Sequence, residues 1–168
     1  MAELSLKERL QPSLLDRLTD DHPESKKEAW QQRVLSERKL RKSVLRDLSW
    51  LLNASGLPSS VDLENHPLVA QSTLNYGMPD LAGLSLSGLD ITKVEERLKD
   101  VIMHFEPRIN RESLSIHTMR QEKEEMSHNA LIFEIEGELW AHPMPLHVLL
   151  KTELDLESGE VNVTEQSG

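Results

Sequence analysis

The 168-residue chain has no cysteine, so no disulfide framework and no thiolate metal site can form. It has little aromatic surface. Trp30, Trp50, Tyr76, Phe105, Phe133 and Trp140 are the six aromatic residues, which leaves the core to Leu, Val and Ile. No apolar run reaches 18 residues and no basic-then-apolar stretch opens the chain, so neither a membrane span nor a signal peptide is predicted. The expected compartment is the cytoplasm. An excess of positive charge is also missing. The formal net charge of −10 argues against a general nucleic-acid binder, which needs a basic surface to neutralise phosphates.

That charge is unevenly spread. Residues 26 to 46 hold eight basic side chains (Lys26, Lys27, Arg33, Arg38, Lys39, Arg41, Lys42, Arg46) against Glu28 and Glu37. Residues 122 to 160 hold ten acids against Lys123 and Lys151. Such polarity suits ordered neighbours in an assembly, although solvated charged faces are the commoner outcome.

Length and composition predict one domain over 26–168 with a short loose tail, preceded by a docking segment over 1–25. In that segment Pro12 or Ser13 can open a short helix bearing Leu14, Leu15 and Leu18, ended by His22-Pro23. The longest helix is predicted over 27–53. Trp30, Val34, Leu45, Leu48 and Leu52 recur at helical spacing, with Leu40, Val44 and Leu51 beside them, and Gly56 and Pro58 stop it. Residues 54–89 are rich in Gly, Pro, Ser and Asn, with a short helix expected near Leu68 to Leu74. Asp90 caps a helix over 91–105, whose stripe is Val94, Leu98, Val101, Ile102 and Phe105.

After Arg108 the period becomes two. Strands are predicted around Leu114 to Thr118, from Leu131 towards Trp140, and from Val148 to Leu156, with "ESGE" turning into an edge strand "VNVTE". The predicted fold class is α+β, with N-terminal helices packed on an antiparallel sheet of three to four strands.

Chemistry-bearing motifs are sparse. There is no phosphate-binding glycine loop, and "GLSLSG" lacks the spacing of a nucleophile elbow, so Ser85 and Ser87 read as loop serines. His142 and His147 bracket "PMP", but an isolated pair reads as surface histidines sooner than as a metal site. No metal or cofactor is expected. Asn53 and Asn162 head formal glycosylation sequons, without meaning in a cytoplasmic chain.

The stretch that poses a question is "DVIMHFEPRINRE", where a helix runs into Glu106-Pro107-Arg108. As an enzyme, the chain would use Glu106 as a general acid, which needs an apolar pocket and a second carboxyl across the scissile bond. No spacing marks out a second acid, and Arg108 as neighbour favours the charged form. As architecture, Pro107 sets a rigid corner from which Glu106 and Arg108 project to a partner. The bland alternative is a surface ion pair closing a helix end, worth about 0 to 1 kcal/mol. In "FEIEGELW", Glu134, Glu136 and Glu138 fall on the face opposite Phe133 and Ile135. That is either a solvated sheet face or part of a sheet whose edge accepts a strand from another chain. A regulatory module binding through Arg38, Lys39, Arg41 and Lys42 is a third possibility.

Taken in order, "PSLLDRLTD", "LRKSVLRDLSWLLN", "HPLVAQSTLNYGMPDLAG", "MHFEPRI" and "FEIEGELWAHPMPLHVLLKTELDLESGEV" resemble the TssE-like family. These are small baseplate components of bacterial type VI secretion systems, grouped with contractile phage-tail wedge proteins under a "lysozyme-like" label. The resemblance implies a structural, non-enzymatic role at the inner face of the cytoplasmic membrane. Its implied partners are the baseplate proteins TssF, TssG and TssK and the sheath proteins TssB and TssC, the sheath contact being of the strand-sharing kind. The family's Glu-Pro-Arg motif falls on Glu106, Pro107 and Arg108 and is associated with assembly contacts. Peptidoglycan hydrolysis by Glu106 is the alternative that the label suggests.

Overall fold

The computed structural model describes residues 13–19, 24, 36–57, 61, 63–79, 81, 88, 90–119, 130–141 and 144–166. Its elements in chain order are α1 (Leu14–Leu18), α2 (Glu37–Asn53), α3 (Pro67–Ala70), a 3-10 turn (Thr73–Asn75), α4 (Ile91–Phe105), and strands β1 (Ser115–Met119), β2 (Ala130–Leu139), β3 (Leu146–Asp155) and β4 (Val161–Glu165). The fold is α+β, and the sheet is a four-stranded antiparallel meander in the order β1-β2-β3-β4.

Each main helix begins where a side chain replaces the missing backbone acceptor. Asp90 Oδ1 accepts from Lys93 N–H at 3.4 Å, as the sequence predicts for α4. For α2 the cap is Ser36, whose Oγ accepts from Lys39 N–H at 3.3 Å. The predicted start at residue 27 is therefore ten residues early. Ser36 has extended backbone angles, and a capping serine breaks a helical hydrophobic pattern that reads as continuous through it. Trp30 and Val34, which prompted the longer prediction, lie outside the described residues. Among residues 54–89, α3 and the 3-10 turn realise the short helix expected there.

The core lies between one face of the sheet and the helices α2 and α4. Leu40, Val44, Leu48, Leu51 and Leu52 from α2 and Val94, Leu98, Val101 and Ile102 from α4 meet Leu131, Phe133, Ile135 and Leu139 of β2 and Val148, Leu150 and Leu154 of β3. Each fully buried Leu or Ile contributes about 1.5 to 3 kcal/mol relative to exposure. The opposite face presents Glu134, Glu136 and Glu138 beside His147, Lys151 and Glu153. Its acids are engaged in part: the His147 ring Nε2 and Glu136 Oε1 lie 2.8 Å apart.

The loop after α2 is tied to the turn before α4 by a small parallel bridge between Ser55 and Met78. Gly56 N–H donates to the Met78 carbonyl at 2.9 Å, and Met78 N–H to the Ala54 carbonyl at 2.8 Å. Gly77 makes this approach possible. Its φ is +120°, and a Cβ there would sit 2.1 Å from the Ala54 carbonyl oxygen. Gly77→Ala is expected to destabilise the protein by roughly 2 to 4 kcal/mol, combining backbone strain with overpacking. Urea unfolding measures this, and a loss under about 0.5 kcal/mol would show that the bridge does not constrain the fold.

Candidate functional site

The Glu106-Pro107-Arg108 corner forms where α4 stops. Pro107 cannot continue the helix, and Glu106, the residue before it, adopts φ −118° and ψ 79°. The chain then runs beside the end of β2: Trp140 N–H donates to the Arg108 carbonyl at 2.7 Å and Asn110 N–H to the Glu138 carbonyl at 2.8 Å, around an Ile109–Leu139 bridge. Gly137 gives Ile109 room, since a Cβ there would lie 3.2 Å from Ile109 Cγ2.

The corner exists as predicted, but its two charged side chains turn inward. Glu106 is only 3 % exposed. Arg108 Nε donates to Glu106 Oε1 at 2.6 Å, Arg108 Nη2 donates to Glu106 Oε2, and the Arg108 backbone N–H adds a bond to Oε1 at 3.1 Å. The same guanidinium reaches across to α2. There Nη2 donates to Asp47 Oδ2 at 2.7 Å, and Nη1 donates to Ser43 Oγ at 3.2 Å. Ser43 passes the chain on by donating to the Leu40 carbonyl at 3.0 Å. One planar fork therefore joins the end of α4, the middle of α2 and the strand-side segment at β2.

Burial works against the Arg108 charge, but hydrogen bonds and attraction from Glu106 and then Asp47 outweigh it and raise its pKa above the ordinary arginine value. Tyr76 nearby responds to the same acids: burial, then the charges of Asp47 and Glu106, push its phenol above its usual pKa. Beside the cluster lies an open cleft of about 450 Å³ walled by Ser13, Asp47, Leu51, Tyr76, Phe105 and Pro107. Tyr76 and Phe105 meet edge to face at 5.2 Å within it.

Asp47 is the second carboxylate that sequence spacing does not mark out. Both carboxylates are nevertheless committed. Asp47 Oδ1 accepts from Arg46 Nε at 2.8 Å, its Oδ2 from Arg108, and both oxygens of Glu106 from Arg108. A guanidinium stands between the two acids where a hydrolase needs a substrate bond. A retrospective signal for Ser43 and Asp47 is present in the sequence: they sit at polar positions on the apolar stripe Leu40, Val44, Leu48, Leu51.

The basic residues of α2 divide. Arg38, Lys39 and Lys42 are exposed and make no ion pair among the described residues. Arg41 instead bonds Glu165 of β4 at 2.8 Å. Further along α2, Arg46 stacks over Trp50 with its guanidinium carbon 5.0 Å from the ring centre, and it holds α1 through Asp16 at 2.6 Å. The predicted N-terminal helix thus touches its own domain by an ion pair, while Leu14 and Leu18 stay exposed. His142 lies outside the described residues, and no cluster of three metal-ligating side chains occurs among those described.

Residues 38–144 match the family model described as baseplate wedge protein gp25, well over half of the chain. The chain belongs to the gp25 baseplate wedge family. The matched segment contains every residue of the Arg108 cluster, from Leu40 and Ser43 to the β2 end at Trp140. Searches against curated proteins and against solved structures give no match. No helix among the described residues is long and apolar enough to cross a membrane.

Removing Arg108 leaves the buried Glu106 without its cation. Arg108→Ala is expected to destabilise the gp25-family fold by about 3 kcal/mol, and Arg108→Lys to recover only part, because an ammonium cannot reproduce the fork. Denaturant midpoints at constant slope give both values. A loss below about 1 kcal/mol for the alanine variant would place the cluster with ordinary surface ion pairs.

Proposed function

We propose that this gp25-family chain is a TssE-like subunit of a type VI secretion baseplate wedge, helping the contractile sheath to begin polymerising. The observation that carries the proposal is the family match across the whole Arg108 cluster, joined to the ordered TssE-like segments of the sequence. The proposal is a non-enzymatic role at the inner face of the cytoplasmic membrane, with wedge partners TssF, TssG and TssK and sheath partners TssB and TssC.

In this reading Glu106, Pro107 and Arg108 act in assembly in two ways. The buried ion pair holds the corner rigid, and the exposed Pro107 with the outer part of Arg108 is the surface a neighbour meets. Arg38, Lys39 and Lys42 offer exposed cations to an acidic wedge partner, and Arg41 contributes from its seat on Glu165. The sheet is the side that meets the sheath, by sharing a strand.

Glu106 as a lysozyme-type acid has no support in the geometry, because Arg108 occupies both of its oxygens. The purified protein is expected to leave peptidoglycan intact across a wide pH range; cleavage that Glu106→Gln abolishes would restore the enzymatic reading.

The assembly reading is tested in cells whose only copy carries Glu in place of Arg38, Lys39 and Lys42. These exposed changes are expected to alter folding stability by no more than about 0.5 kcal/mol. Co-purification with wedge proteins should fall roughly tenfold, and fluorescent sheath assemblies should become rare. Sheaths forming at normal frequency in cells lacking the chain altogether would contradict the proposal.

A further inference from the structure

Protein interiors pack with few voids larger than a water molecule, and a buried hydroxyl almost always has a partner. A pocket beside the end of α2 departs from both rules. It has a volume of about 50 Å³ and runs down to a floor of Leu98, Phe133, Thr152 and Leu154, none more than 5 % exposed. Thr152 is 1 % exposed, and its Oγ1 has no hydrogen-bond partner among the described residues. The pocket shares no wall residue with the cleft beside Arg108.

Its mouth lies between exposed Ser55 and the turn at Gly159 that joins β3 to β4. On one side the parallel bridge to Met78 holds the Ser55 loop. On the other, Gly159 takes φ +76° and donates its N–H to the Asp155 carbonyl at 2.8 Å, while Asp155 Oδ1 accepts from the Glu157 and Ser158 N–H groups at 2.7 and 3.2 Å. The Asn53 amide ties the two sides together. Its Oδ1 accepts from Val161 N–H at 2.9 Å, and its Nδ2 donates to the Val161 carbonyl at 2.7 Å. Such a frame is preorganised, so an incoming group meets a surface with little order left to lose.

Size, polarity and charge together define what fits. By the measure in which one water needs about 10 to 15 Å³, the pocket takes roughly three or four heavy atoms, the tip of an aliphatic side chain. The apolar floor favours such a tip, and the Thr152 hydroxyl calls for an acceptor on it. Leucine and isoleucine carry no acceptor. Methionine carries one, a thioether sulfur on an unbranched, adaptable chain. Around the mouth, Glu157 and Glu160 are exposed and make no ion pair among the described residues, while Asp155 commits its carboxylate to the turn's own amides. An acidic rim selects a segment with basic residues beside the methionine.

We infer that this pocket is a socket for a methionine side chain, presented by a neighbouring protein on a segment that carries Lys or Arg beside it. The methyl and sulfur pack on Phe133 and Leu154, the sulfur accepts from the Thr152 hydroxyl, and the flanking cations meet Glu157 and Glu160. The inference stands on the pocket alone, and its failure leaves the baseplate reading untouched.

The probe is the peptide acetyl-Gly-Lys-Met-Lys-Gly-amide, titrated into the full chain and followed by NMR at the Leu154 methyls and the Gly159 amide. Both sets of signals are expected to move together. Binding should weaken at least about tenfold when alanine replaces the peptide's methionine, and about tenfold when glutamates replace its lysines. Unmoved signals, or equal binding by the alanine peptide, overturn the socket; equal binding by the glutamate peptide overturns the part given to the rim. Thr152→Val keeps the side chain's shape and removes its hydroxyl. This variant is expected to bind the methionine peptide about threefold more weakly and to unfold at a urea concentration no lower than wild type, because no partnered group is lost. Unchanged binding overturns the role given to the hydroxyl. A clearly lower midpoint would show the hydroxyl held by ordered water, making the pocket a hydration site in place of a socket.

Discussion

The structure depends on one guanidinium. Arg108 sits where a helix has just been stopped by proline and a strand-like segment is about to begin, and its planar donors reach both neighbours and a third element, α2. Burying Glu106 at such a corner is costly unless its charge is answered, and a buried pair is specified by geometry more than rewarded in net stability. What the pair supplies here is registration. It sets the end of α4 against the middle of α2 while the adjoining residues hydrogen-bond to the end of β2. Together with the Asn53–Val161, Arg41–Glu165 and Glu95–Thr118 contacts, this fixes two helices against the sheet.

That fixed point has consequences at the sheet edges. Asn53 lies at the end of α2 and Glu95 near the start of α4, and each reaches a different edge strand. These contacts form only because the positions of the helices over the sheet are set. Asn53 and Glu95 both lie in the segment that matches the gp25 baseplate wedge family. The exposed cations Arg38, Lys39 and Lys42 at one end of α2 and the acid-rich outer sheet face give the body two faces of opposite sign.

Much of the fold was legible because local and global signals agree. Asp90 followed by Val94, Leu98, Val101 and Ile102 is a capped helix by spacing alone, and all four apolar residues are buried. Phe133 and Ile135 alternate with Glu134 and Glu136, which places the sheet's inner face without any coordinates. The start of α2 was misread because the periodicity extends upstream of Ser36, and periodicity says nothing about where backbone angles break. The corner was legible as a corner, yet its charges were read as pointing outward. Nothing adjacent in sequence announces that Asp47, 61 residues earlier, answers Arg108. The clue was a serine and an aspartate on an otherwise apolar stripe, which has meaning only once a cation is known to face it. Asn53 read as an empty glycosylation sequon and Glu95 as an acid near a helix start; the contacts they make with β4 and β1 are long-range and arise from topology.

The central claim is that Arg108 couples α2 to the α4–β2 corner, and a double-mutant cycle on Asp47→Ala and Arg108→Ala isolates that coupling. The account predicts an interaction energy of about 1 to 3 kcal/mol in the unfolding free energies. Additivity of the two changes within about 0.3 kcal/mol would mean that the two elements are held by hydrophobic packing alone, and would contradict it.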